Sequence, residues 1–243
     1  MSSQELQLLM GLLGEARAEP YMAAANGDPD RARELYLWAT ELAGSLHAQI
    51  SFVEIAVRNA MDAQLSLWNS TQGEEYGCDW ALDRGAASPL YEILSKELRT
   101  AQSWAQKEPE RRPRDHPRYG AGVTHDDVVA QLMFGAWVKL IRPASSSESS
   151  DRQCRLWDEA LHLSFPYADS TNENRLRIGH QLEVVRKLRN RVAHHDNLLA
   201  VEVNRRLNGM LSLLAKIDPS YPEIAMARSQ LRRLAKEDPR RRW

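Results

Sequence analysis

Apolar residues recur along this chain in steps of three and four, the period of a helix rather than of a strand. The longest run is Leu35, Ala39, Leu42, Leu46, Ile50, Val53, Val57, Ala60, Leu65 and Trp68. Asp28 stands before it as an N-cap, with Pro29 at the first helical position. No proline interrupts the run, and Asn69-Ser70-Thr71-Gln72-Gly73 closes it. The pattern predicts one helix from roughly 29 to 69, about 60 Å long.

Residues 71–89, with Gly73, Gly77, Gly85 and Pro89, read as a loop. Ser88 is the expected cap of a helix starting at Pro89 and carrying Leu90, Ile93, Leu94, Leu98 and Ala101. A basic, proline-rich loop follows over 109–118. Thr124 with Asp127 three residues on is close to a capping box. The helix it opens carries Val128, Val129, Leu132, Met133, Trp137, Leu140 and Ile141, and Pro143 stops it. Ser145–Ser150 reads as a short linker, and 152–163 as a short helix. Further helices are expected over 173–195 and 198–217, and after Tyr221 one running to Arg240-Arg241-Arg242. No segment alternates as a strand does. The expectation is an all-α bundle with one very long N-terminal helix.

Composition narrows the classes. The chain has 243 residues, 43% of them hydrophobic and 27% charged, with a formal net charge of −1. Bulk positive charge therefore advertises no nucleic-acid partner, and any RNA site must come from local clusters. Cys78 and Cys154 fit neither a disulfide framework nor a zinc set. Ser2-Ser3-Gln4-Glu5 is no basic leader, and the apolar run Leu8–Leu13 is short. No stretch approaches the roughly 20 apolar residues of a membrane span. A cytoplasmic protein, away from the membrane, is expected.

The segment Gln181–Leu199 carries the candidate chemistry. Val184, Val185, Leu188, Val192 and Leu199 fall on one face of a helix, and His195 within that stripe. Asn190 and His194 lie four apart on the other side, with Arg189 about 140° from His194 by helical arithmetic. Arg186, Lys187 and Arg191 surround them as candidate RNA-binding residues. A histidine near pKa ~6.5 takes or gives a proton at neutral pH. An arginine fork binds phosphate and stabilises charge growing on it. RNA brings its own nucleophile, the 2′-hydroxyl, so a base and an acid suffice. By spacing alone, a solvated basic face at a helix end would look the same.

Arg189-Asn190-Arg191-Val192-Ala193-His194-His195 resembles the signature of the HEPN superfamily, an arginine, a polar residue, then a histidine. Its "Leu-Arg-Asn-x-x-Ala-His-His" form is similar to that of Abi-like (abortive infection) proteins. Glu54–Ala60 resembles their N-terminal helix motif, Val128–Trp137 their middle helix, and Leu156-Trp157 with Phe165-Pro166 the segment before the motif helix. Together these cover roughly 30–217.

The resemblance implies one HEPN domain over 1–243. Its parts are a long helix at 28–70, a loop-rich insertion with one helix at 71–123, core helices at 124–217, and a basic tail at 218–243. It further implies a homodimer with a composite active site, and a metal-independent endoribonuclease without cofactor. The activity is that of an abortive-infection or toxin effector in phage defence, acting on tRNA or other cellular RNA and restrained by a protein or noncoding-RNA antitoxin. Carried over by residue, Arg189 and His194 are catalytic and Asn190 assists, with Glu54, Arg58, Asn59 and His195 as supporting candidates. Glu54 and Arg58 read equally as an i,i+4 ion pair, and His195 as a core histidine. The alternative is a non-catalytic module that binds RNA or a protein partner.

Overall fold

A computed structural model describes residues 10–145 and 147–243. Ser2–Glu5, Leu8 and Leu9 of the first apolar run, and Ser146 of the serine linker lie outside them. The described residues form eleven α-helices and two 3-10 turns, with no strand among them. Their contacts divide into two units. One comprises 10–53, 187–212 and 220–243. The other comprises 54–145, 147–186 and 213–219.

Helix α1 is Glu15–Ala24 and α2 is Pro29–Asn69, as the period predicts. Asp28 Oδ1 accepts the amide N–H groups of Asp30 (2.9 Å) and Arg31 (3.2 Å), which is the expected cap. The first unit takes α2 as far as Val53. There Leu35, Trp38, Leu42, Leu46 and Ile50 are buried.

The C-terminal segment packs on this half of α2, within the same unit. It is not the single helix expected but α10 (Tyr221–Met226), α11 (Leu231–Lys236) and a 3-10 turn, Pro239–Arg242. Pro239 biases Asp238 out of the helical region (ψ 116°), which keeps α11 from continuing. Trp38 Nε1 donates to the Leu234 carbonyl at 2.9 Å. Arg240 lies 5.9 Å from the Trp38 ring and Arg31 5.5 Å from the Trp243 ring.

The second unit holds the rest of α2, where Val57, Met61, Leu65 and Trp68 are buried. At its end Asn69, 0% exposed, organises the following loop. Its Nδ2 donates to the carbonyls of Gly77 (2.7 Å) and Gly85 (2.8 Å), and its Oδ1 accepts the Ala87 N–H at 2.9 Å. Gly85 is required by that packing, since a Cβ there would sit 2.5 Å from the Asp79 carbonyl oxygen.

Helix α3 is Leu90–Ala105. Pro89, not Ser88, occupies its cap position; Ser88 Oγ instead donates to Glu92 Oε1 at 2.6 Å. A single turn, α4 (Glu108–Arg111), leads into the arginine-rich loop. The expected middle helix is two, α5 (His125–Gln131) and α6 (Phe134–Ile141). Leu132 and Met133 between them are extended, so that each half turns its own apolar face onto α3, and α6 also meets α7 (Asp151–Glu159). The Thr124–Asp127 capping box is formed, with the Asp127 N–H donating to Thr124 Oγ1 at 3.4 Å and the Thr124 N–H to Asp127 Oδ2 at 2.9 Å. Arg118 grips the same carboxylate with both terminal nitrogens at 2.7 Å.

A 3-10 turn (Leu161–Ser164) precedes α8, Asn172–Ala193. Near the start of α8 the Arg175 side chain is buried, at 1% exposure. Its Nε donates to Asn172 Oδ1 at 2.7 Å and its Nη1 to the Ile141 carbonyl at 2.5 Å, the last carbonyl of α6. A cation at a helix C-terminus is favoured by the peptide dipoles. Gly179, a turn further on, lets α8 approach that end closely, since a Cβ would meet Ile141 Cγ2 at 3.1 Å. Helix α9 is Val203–Ile217 and starts five residues later than expected. Residues 196–202 form a turn that buries Leu198 before α9 begins.

Candidate functional site

The motif Arg189–His195 spans the end of α8. The buried stripe there is Leu182, Val185, Leu188, Val192 and then Leu198. Val184 and Leu199, expected in it, are half-buried. Arg189 and Asn190 flank the stripe and are half-buried, while His194 and His195 are both exposed.

The chain leaves the helix through a Schellman motif. The His194 N–H still donates to the Asn190 carbonyl at 2.9 Å, one helical turn back. The His195 N–H then donates to Val192 O (3.2 Å) and the Asp196 N–H to Arg191 O (2.9 Å). His195 takes the left-handed position, φ 54°, normally held by glycine. This corrects the reading of His195 as a core histidine. Helical arithmetic placed it on the apolar stripe, but the helix ends at Ala193, and the αL turn carries His195 out to solvent.

The surrounding cations are more tightly engaged than a free basic face would be. Arg186 donates through Nε and Nη2 to Glu183 at 2.7 and 2.8 Å, and that carboxylate raises the guanidinium's pKa. Arg191 Nη2 donates to the Asn197 carbonyl, drawing its charge onto the turn after the helix. Lys187 is exposed; it and Arg189 each have an interaction partner.

The supporting candidates lie on α2, in the second unit. Arg58 is half-buried and its Nε donates to Asn59 Oδ1 at 3.3 Å; Asn59 is exposed. Glu54 is half-buried and engaged.

Part of the charge in both basic segments noted in the sequence is paired within the fold. In 111–118, Arg118 and Arg112 converge on Asp127. In the tail, Arg233 pairs with Glu41 and Glu237, Arg240 with Asp238, and Arg242 with Glu34.

One polar constellation was invisible in the sequence. In the second unit His125 Nε2 lies 2.9 Å from Asp62 Oδ1, which also accepts Trp80 Nε1–H at 2.8 Å. The Ala81 N–H faces His125 Nδ1 at 3.4 Å, which assigns the neutral ring's proton to Nε2. Burial opposes charge on this ring, but the Asp62 hydrogen bond and the carboxylates of Asp62, Asp79 and Asp126 outweigh it and raise its pKa. Asp62, His125 and Asp126 place their ligand atoms within 4.8 Å of one another, the arrangement among the described residues nearest to a metal-binding set. Here Nε2 is committed to Asp62 as a donor, so the geometry is that of a structural hydrogen-bond network joining α2 to the N-terminus of α5. No local spacing relates residues 62 and 125, so no motif could have paired them.

No described helix is long and apolar enough to cross a membrane. No family model, curated protein or solved structure matches the chain.

Proposed function

We propose that this protein is a metal-independent endoribonuclease of the HEPN type, serving as a cytoplasmic abortive-infection or toxin effector in phage defence. The observation that carries the reading is the position of His194. It is an exposed imidazole one turn beyond Asn190 and five residues beyond Arg189, at the point where α8 gives way to a turn. A histidine there meets a bulky polymer without a lid or a deep pocket.

In this reading a phosphodiester of tRNA or another cellular RNA lies at the motif. Arg189 binds its non-bridging oxygens and stabilises the charge that grows on them. Asn190 orients the phosphate or ribose. His194 takes the proton from the 2′-hydroxyl as its oxygen attacks the adjacent phosphorus, or returns a proton to the departing 5′-oxygen. The products are a 2′,3′-cyclic phosphate and a 5′-hydroxyl end. A second copy of the chain supplies the complementary Arg and His across a two-fold axis, so that one imidazole acts as base and the other as acid. A protein or noncoding-RNA antitoxin restrains the activity.

The test is incubation of purified protein with total RNA and with tRNA in EDTA, beside His194→Ala. The expectation is cleavage by the wild type alone, reduced by about 10²–10⁴-fold in the variant, with cyclic phosphate ends. Equal cleavage by both proteins would sink the assignment.

The engagement of Arg186 with Glu183 and of Arg191 with Asn197 favours a second reading. With those charges partly satisfied, the same surface suits a non-catalytic module that holds RNA or a protein partner. RNA bound but returned intact, with Arg189→Ala changing affinity alone, is its signature.

A further inference from the structure

The first unit contains a cleft of about 590 Å³ whose wall includes Arg191 and His195 of the motif but not Arg189, Asn190 or His194. It lies among α1, the N-terminal part of α2 and the turn that follows α8. Its volume is in the range of small-molecule sites, roughly 300–1,000 Å³, and far beyond what a lone phosphate needs.

Its lining is chemically mixed in a particular way. Tyr21 and Tyr36 meet edge to face, ring centroids 5.4 Å apart and planes at 89°. Tyr21 is buried (7% exposed) and Tyr36 half-buried. The two rings hold each other edge to face, and Tyr36, the more exposed of them, lines the cleft. Arg17, Arg191 and His195 also line the cleft. Arg17 is exposed and makes no ion pair among the described residues. Arg191 is anchored to the Asn197 carbonyl, so its charge is held in place at this wall. One carboxylate, Asp196, faces the same space. Two guanidiniums outweigh it for an anion, and a carboxylate is a good acceptor for an exocyclic amine.

An aromatic face, a cationic wall and one acceptor together match a base, a phosphate and a base edge. We infer that this cleft seats a single nucleotide, with its base against Tyr36 and its phosphate toward Arg17 and Arg191. His195 follows His194 directly in the chain, so an RNA strand crossing His194 has a neighbouring nucleotide at the cleft's rim. In that form the inference rests on the ribonuclease reading and names the element that sets which nucleotide flanks the cut. A free mononucleotide offers the same chemistry and would act as a regulator beside the motif.

The experiment uses an uncleavable 2′-O-methyl oligoribonucleotide carrying one 4-thiouridine, measured by fluorescence anisotropy and by photocrosslinking with peptide mapping. Adenosine and uridine 5′-monophosphate are the free-nucleotide probes, followed by calorimetry. The wild type is compared with Tyr36→Ala, Tyr36→Phe and the exposed-site variant Arg17→Glu. Loss of a base stack predicts about 5- to 150-fold weaker binding by Tyr36→Ala, with Tyr36→Phe retaining affinity. Arg17→Glu should weaken binding and lower its salt dependence. Crosslinks should map to the α1 and α2 segments lining the cleft.

Tyr36-dependent binding of the oligonucleotide assigns the cleft to the RNA strand. Tyr36-dependent binding of the monophosphates alone assigns it to a free nucleotide and leaves the inference standing while the RNA reading falls. His194-dependent cleavage, with binding unchanged in both Tyr36→Ala and Arg17→Glu, overturns the inference and leaves the nuclease standing. Arg17→Glu keeps the test decisive if Tyr36→Ala proves unstable.

Discussion

Replacing Asn69 by alanine should expose how much of the second unit hangs on one amide. The side chain is fully buried and makes three hydrogen bonds, donating to Gly77 O and Gly85 O and accepting from the Ala87 N–H. Removing it leaves two carbonyls and one N–H without their partner. An orphaned buried group costs about 1–3 kcal/mol. The loop lies at the end of α2 and can relax toward water, so a figure near the low end, about 1–1.3 kcal/mol, applies to each group, for a total of about 3–4 kcal/mol. At roughly 2–4 °C per kcal/mol for a chain of this size, the melting temperature should fall by about 6–16 °C. Circular dichroism melts measure the fall, and hydrogen exchange should show protection lost first over 70–89. Asn69→Asp keeps the acceptor toward Ala87 but points a carboxylate oxygen at two carbonyls, so it should be at least as damaging. A fall below about 2 °C in Asn69→Ala, with exchange in the loop unchanged, would refute the view that this amide holds the loop.

Two further outcomes follow from the geometry. His195→Gly relieves the left-handed backbone cost borne by a side chain there, about 1–2 kcal/mol, partly offset by the freer unfolded chain. It should melt at the same temperature as the wild type or slightly higher, whereas His195→Val should melt lower; a lower melt for the glycine variant would contradict the assigned turn. Asp127 titrates well below the usual carboxylate range, chiefly through the Arg118 hydrogen bonds, so its contribution to stability is complete above its unfolded value, about 3.9, and is lost as pH falls toward the folded value. Arg118→Gln should therefore be less stable than the wild type at neutral pH, with the gap closing in acid; a constant gap from pH 7 to 2 would count against it.

The helical framework was legible because burial follows the period. In α2 the buried apolar positions from Leu35 to Trp68 recur at three or four residues, with only Trp38 and Ala39 adjacent, and Asp28 announces the start. The Thr124–Asp127 box was legible for the same reason, being local. What escaped depends on contacts distant in the chain or on where a helix stops. Asn69 reads as a helix terminator, and nothing in the sequence says that it clamps Gly77, Gly85 and Ala87. The break at Leu132–Met133 answers to α3, on which both halves pack. His195 turned on a single residue, since a helix ending at Ala193 reverses the face to which the next imidazole belongs. Of the candidate site, the order Arg189, Asn190, His194 was readable from the chain, while the pairing of the basic tail with Glu34 and Glu41 and the tyrosine-lined cleft were not.

The buried Arg175 has a consequence for how acid would take the second unit apart. Its hydrogen-bond partners, the Ile141 carbonyl and Asn172 Oδ1, are amide oxygens, so this contact contains no carboxylate. At the junction of α6 and α8 this contact therefore has no carboxylate partner to lose in acid. The Arg118–Asp127 lock at the head of α5 depends on a carboxylate. Acid then has a grain to work along, loosening the unit at α5 while the rivet at Arg175 still holds the pieces that follow.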